Sequence, residues 1–180
     1  MDLILLRTYQ RQVETHCRFA LFAAQGIQQT LNTEEGGATW FWVEAFLNAT
    51  ANLSKAFWPN QDRAHPVDRK PLRDSLGVSE PSPLQIRKMR NHFEHFDERL
   101  EQWWVDDPNH NIVDHNIMPR SYIAGLPDIS FFRMLDPSTG DVMFWSDSYN
   151  LPSIVKEIER LLPIAQAEAA KPHWDPPPTA

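Results

Sequence analysis

Between Leu3 and Leu31 the chain has no proline, and Val13, Cys17, Ala20, Leu21, Ala24, Ile27 and Leu31 place apolar side chains every three or four residues. A helix of that length carries one apolar stripe and must bury it against other helices, so helix packing sets the fold. The segment "NTEEGG" ends this first helix, with Gly36 and Gly37 at the turn, and Thr39 is placed to cap a second helix from Trp40 to Phe57. Pro59 stops that helix. In it Trp40, Phe41, Trp42 and Phe46 fall at almost every angle, which implies burial on more than one side, in mid-bundle or at a dimer interface.

Prolines 59, 66, 71, 81 and 83 make residues 60–83 a loop, with "PLRDSLG" as one short helix stopped by Gly77. Ser79 or Ser82 opens a third long helix, with Pro83 in its first turn, that runs to about Val105 and ends at "DDPN". The character then changes. "NIVDHNIMPRSYIAG" and "ISFFRMLDPSTGDVMFWSDSYNL" are rich in Ile, Val, Phe and Tyr, and "DPSTGD" separates two apolar runs as a hairpin turn. A small antiparallel sheet is expected here. A final amphipathic helix, about Pro152 to Ala170, precedes the Pro-rich tail 171–180, expected to be disordered. The fold class is therefore mainly α: a helical bundle, residues 1–170, with a small antiparallel β-hairpin insertion at about 111–150 before the C-terminal helix.

Composition limits the function. A chain of 180 residues, 42% hydrophobic and 11% aromatic, suits one domain with one core. Its single cysteine, Cys17, forms no internal disulfide, which suits a reducing compartment. No apolar run reaches the roughly 20 residues of a membrane span, and "MDLILLRTYQRQ" lacks the basic start and cleavage site of a leader. The expectation is a mature cytoplasmic protein that does not engage a membrane. A formal charge of -7 argues against bulk electrostatic binding of nucleic acid. Locally, however, Arg63, Arg69, Lys70, Arg73, Arg87, Lys88 and Arg90 outnumber Asp68, Asp74 and Glu80.

The stretch "MRNHFEHFDERLEQWW", Met89 to Trp104, is the candidate for chemistry. At roughly 100° per residue, Ile86, Met89, Phe93, Phe96, Leu100, Trp103 and Trp104 form one core-facing stripe. Asn91, His95, Glu98 and Gln102 lie opposite, flanked by Arg90 and Glu94, which are four apart and able to pair. His95 thus faces water or a partner, where an imidazole can act as acid or base, with Asn91 one turn back to orient it. Arg90 adds a planar cation suited to phosphate oxygens. Histidine with arginine suffices in principle to cleave RNA, because the 2′-hydroxyl is the nucleophile. Glu94, Arg87 and Lys88 are candidate substrate contacts. Glu44 and Asn48, four apart on the second helix, are candidates to line a cleft opposite His95.

"RNHFEH", Arg90 to His95, followed by "FDERL", resembles the Arg-x(4 to 6)-His motif of the HEPN superfamily, the higher eukaryote and prokaryote nucleotide-binding domains. The resemblance covers the helices, about two thirds of the chain, and leaves the strand region as an elaboration. It implies a helical bundle that dimerises so that two motif copies meet across a cleft and cut RNA without a metal or cofactor. Arg90 would then stabilise phosphate, His95 would be general acid or base, and Asn91 would position the site. His92, inside the motif, lies toward the core edge and is given no catalytic role. At the system level the resemblance implies a defence or toxin-antitoxin ribonuclease, with RNA or a nucleotide as ligand and an antitoxin or other protein as partner. The alternative is a non-catalytic nucleotide-binding or scaffold module.

Other chemistries have less support. His92 with His95, or His110, Asp114 and His115, are the only metal-ligand groupings, and neither is a dense ligand run. Cys17 has the apolar neighbours of a buried thiol. Ser130 and Ser146 lack a nucleophile-elbow motif, and no Gly-rich phosphate loop is present.

Overall fold

The computed structural model describes residues 1–59, 67–85 and 87–173, with Arg87 and Arg90 described by backbone alone. Arg63, Ile86 and the tail from 174 onward lie outside the described residues. Helix α1 (Leu3–Asn32) starts where the Asp2 side chain accepts a hydrogen bond from the Ile4 N–H at 2.8 Å. Its buried positions include Val13, Cys17, Ala20, Ala23, Gly26 and Ile27, the small residues letting neighbouring helices come close. Gln10 is also buried, and its amide is satisfied by Arg7 at 2.7 Å and Ser75 at 2.9 Å. Helix α1 packs between α2 (Gly36–Phe57) and α6 (Leu151–Ala169).

Helix α2 begins earlier than the sequence suggests. Gly36 and Gly37 are its first residues, not a turn, and Thr39 is buried inside the helix. The Thr39 hydroxyl lies 3.0 Å from Thr30 Oγ1 and 3.1 Å from the Glu35 carbonyl, so it ties two helices together where a cap was expected. Burial on several sides holds for Trp40 and Phe46, but Phe41 is 64% exposed. Helix α3 (Lys70–Leu76) is the short helix of "PLRDSLG", closed by Gly77 at φ 62, a left-handed position that disfavours any side chain with a Cβ.

The third long helix is in fact two. Helix α4 spans Arg87–Glu94 and α5 spans Phe96–Asp106, with His95 between them at φ -112, ψ 40. The His95 N–H still donates to the Asn91 carbonyl at 3.0 Å, and the Arg99 N–H donates to the His95 carbonyl at 3.1 Å. One helix ends on His95 and the next restarts from it. The buried positions keep a spacing of three and four residues through the break, and Leu100 and Trp104 fall at the edge of that stripe. Met89 and Trp103 are buried and Phe93 and Phe96 are partly buried, whereas Leu100 is 37% exposed and Trp104 is 60% exposed, against expectation. Trp104 instead stacks on His110, with ring centroids 3.8 Å apart.

The strand region forms a four-stranded sheet in the order β1 (Asn116–Ile117), β2 (Met134–Asp136), β3 (Asp141–Phe144), β4 (Asp147–Asn150). The β2–β3 and β3–β4 pairs are antiparallel, and "DPSTGD" makes the first turn as expected, with Asp136 Oδ1 accepting from the Ser138 N–H at 2.8 Å. The β1–β2 pair is parallel, so the sheet is not purely antiparallel. Between those strands the chain passes through two 3-10 turns, Arg120–Tyr122 and Asp128–Ser130, which return it in the same direction. Asn150 then caps α6, accepting from the Ser153 N–H at 2.9 Å. Val142, Phe144 and Leu135 join the helical core, and Val113, Phe131 and Met134 form a smaller one beneath the β1–β2 connection. The architecture is mainly helical with a small sheet. Among the described residues, no helix is long and apolar enough to cross a membrane.

Candidate functional site

Phe93, Glu94 and Phe96, on the two sides of the His95 break, line one cleft of about 290 Å³ that does not include His95 itself. Its opposite wall is α2, where Glu44 and Asn48 stand one turn apart on the same face. The structure therefore brings together Glu44, Asn48 and Glu94, three of the side chains the sequence nominated. His95 sits in the chain between two cleft-lining residues, with its side chain 50% exposed and Nδ1 3.2 Å from Glu98 Oε1. It points away from the core, on the polar side its periodicity gives it, and the carboxylate that reaches its ring is Glu98. Asn91 is exposed one turn back.

Arg133 closes the cleft, and sequence reasoning missed it. Its guanidinium grips Asp114 with two hydrogen bonds, Nε to Oδ1 at 2.7 Å and Nη2 to Oδ2 at 2.5 Å, and its carbon lies 4.1 Å from the centre of the Phe96 ring. Arg133 Nη1 is 3.6 Å from Glu44 Oε1, and His115 Nε2 is 4.0 Å from the same oxygen. Burial works against ionisation of Asp114, but the hydrogen bonds and charge of Arg133 outweigh it and hold the carboxyl below the usual range. The available signal was a lone cation in the apolar run "ISFFRML", since a charge in such a run must find a partner.

Other nominated residues go elsewhere. Lys88 is on the β4 side of α4, its Nζ 3.3 Å from Asp147 Oδ1, in a different depression shared with Trp58 and Tyr149. His92, one turn on, is 8% exposed, with Nε2 2.8 Å from Asp147 Oδ2 and its ring stacked on Phe144 at 4.6 Å. The hydrogen bond from His92 is the main reason that the Asp147 carboxyl lies below its ordinary value. The side chains of Arg87 and Arg90, and with them the Arg90–Glu94 pairing, lie outside what the structure describes. Glu94 Oε1 is 3.6 Å from Lys55 Nζ.

The metal-ligand groupings are dispersed. His92 meets Asp147, His95 meets Glu98, His110 stacks on Trp104, and only Asp114 and His115 remain adjacent, at 3.3 Å. Among the described residues, no group of three or more His, Cys, Asp or Glu side chains is placed to hold a metal ion. Cys17 is buried, and burial, with Glu14 and Glu157 nearby, pushes its thiol up to about 12, the opposite of what a nucleophile needs. Compared with models of protein families, with curated proteins and with solved structures, the chain matches none.

Proposed function

We propose that this chain is an HEPN-like, RNA-acting domain that works as a homodimer and cleaves RNA without a metal, with His95 as its proton-transfer residue. The observation that carries this reading is the placement of His95: half exposed, at a helix break, beside a carboxylate and next to a cleft. In the reaction the ribose 2′-oxygen attacks the adjacent phosphorus, the 2′-proton passes to a base, and the bond to the 5′-oxygen breaks as that oxygen takes a proton. The products are a 2′,3′-cyclic phosphate and a 5′-hydroxyl. One imidazole serves as base or acid, Arg90, five residues earlier, offsets the charge that grows on phosphate oxygens, and Asn91 positions the motif. The second copy supplies the complementary proton-transfer group. Exposed Phe19, Phe22 and Phe41, with the partly buried Trp42 in ring contact with the last two, give α1 and α2 an aromatic face suited to that pairing. A defence or toxin-antitoxin role, with an antitoxin as partner, belongs to the same reading and rests on the "RNHFEH" resemblance.

A second reading, a non-catalytic nucleotide-binding or scaffold module, is favoured by the cleft itself, where Glu44, Arg133 and Asp114 are engaged with one another. The experiment that separates the two is cleavage of a mixed RNA pool in chelator by wild type and His95→Ala, with product ends analysed. The nuclease reading expects cyclic phosphate ends from wild type and a loss of about 100-fold or more in the variant. Equal cleavage by both proteins rejects His95. Absence of cleavage in wild type favours the binding module.

A further inference from the structure

We infer that the cleft between α2 and the α4–α5 break is a base-recognition pocket for guanine, read along its Watson–Crick edge by the Glu44 carboxylate. The inference rests on the RNA-acting reading above but not on catalysis.

Size is the first constraint. About 290 Å³ stands at the bottom of the roughly 300–1,000 Å³ range of small-molecule pockets, room for one ring system with its sugar outside. Shape is the second. Phe93 and Phe96 supply aromatic surface, and Leu47 and Ala51 an apolar floor, which suits a flat heterocycle.

Charge then selects among ligands. Glu44 faces Arg133 and His115, Glu94 faces Lys55, and Asp114 grips Arg133. With these charges paired, a cation gains little by entering, and an anion would have to displace Asp114 from Arg133. A neutral ligand with N–H donors fits. Both contacts to Glu44 run to Oε1, at 3.6 and 4.0 Å, beyond hydrogen-bond distance, so this half-exposed carboxylate keeps its acceptor capacity.

Guanine meets that requirement. Its N1–H and N2 amino group are adjacent donors that match the two oxygens of a carboxylate, and its O6 accepts a hydrogen bond from an amide such as Asn48, one turn along α2. Adenine and cytosine set a ring acceptor beside their amino donor. Uracil has a single N–H between two carbonyls. Each of these would point at least one lone pair at the carboxylate.

The test is calorimetric titration of the full chain in chelator with GMP, AMP, CMP and UMP, using wild type, Glu44→Gln and Asn48→Ala. GMP is expected to bind roughly 10- to 100-fold more tightly than the others to wild type. Glu44→Gln should lose that preference while keeping the wild-type melting temperature, and Asn48→Ala should weaken it. A second arm compares a uridine oligomer carrying one guanosine with one carrying none. If the guanosine oligomer binds more tightly than GMP, the occupant is an RNA strand; if GMP binds more tightly, it is a free nucleotide. Equal binding of all four nucleotides, no binding of any, or an unchanged preference in Glu44→Gln overturns the pocket. The two readings fail separately: guanine preference without cleavage removes only the nuclease, and His95-dependent cleavage without guanine preference removes only the pocket.

Discussion

Gly26 is where α1 and α2 come closest to collision, and Gly26→Ala tests how tightly they interlock. A Cβ built at Gly26 lies 2.3 Å from Trp42 Cδ2 and 2.6 Å from both Cε2 and Cγ. Carbon atoms sit comfortably at about 3.5–4.0 Å, so the indole or the helices must move by about 1 Å. A swing of the ring disturbs its edge-on contacts with Phe22 at 5.4 Å and Phe41 at 5.1 Å between centroids. Overpacking of this kind costs about 1–3 kcal/mol, and alanine returns about 0.5–1 kcal/mol by its helix preference. The net expectation is a loss of about 0.5–2 kcal/mol. For a chain of this size that lowers the melting temperature by about 1–8 °C, measured by circular dichroism and checked by urea unfolding. Gly37→Ala is the matched control: it is also helical, and nothing lies within 4 Å of its built Cβ, so it should be neutral or slightly stabilising. In a Trp42→Ala background the Gly26→Ala penalty should vanish, a non-additivity that isolates the contact. A Gly26→Ala protein as stable as wild type, or equal effects at Gly26 and Gly37, would refute the reasoning.

Two further outcomes are expected. Asp147→Asn should destabilise the fold by about 1–3 kcal/mol near neutral pH, because His92 loses its charged partner while its Nδ1 is already buried without a hydrogen bond among the described residues. Since the Asp147 carboxyl is depressed in the fold, its contribution is present above the unfolded value of about 3.9 and fades as pH falls through the lower folded value. Wild type and variant should therefore converge in strong acid, as urea midpoints against pH would show, and a constant gap would count against a role for the Asp147 charge. Cys17 should resist iodoacetamide at pH 8 in the native protein and react promptly in denaturant. Its raised folded pKa predicts stability that falls as pH rises above the unfolded value near 9, and rapid native labelling would contradict the burial.

What could be read in the sequence was whatever depends on local period. The α1 stripe, the end of α2 before Pro59, the Gly77 stop, the "DPSTGD" turn and the wet face of His95 all follow from spacing and backbone restriction. What could not be read depends on contacts between distant segments. The break after Glu94 leaves no proline or glycine behind as a marker. It accompanies the packing of Phe93 and Phe96 on a cleft whose other walls come from α2 and Arg133. Arg133 and Asp114 are 19 residues apart and meet only through the sheet. Leu100 and Trp104 lie at one edge of the apolar stripe, and which edge residues are covered depends on what the rest of the chain packs there.

The two histidines of "RNHFEH" have different surroundings. His92 lies in α4, is stacked on Phe144 of β3 and holds Asp147 of β4, so the sheet grips the last turn of α4 from outside the bundle. Three residues later the helix has lost that grip, and His95 is half exposed. On the cleft side Arg133, just before β2, stacks on Phe96 at the start of α5. The sheet thus holds the chain on both sides of the break, through His92 before it and Phe96 after it. A strand region that only covered an edge would need neither contact. The position of the chain at His95 therefore depends on the β2–β4 segment as much as on the helices on either side of it.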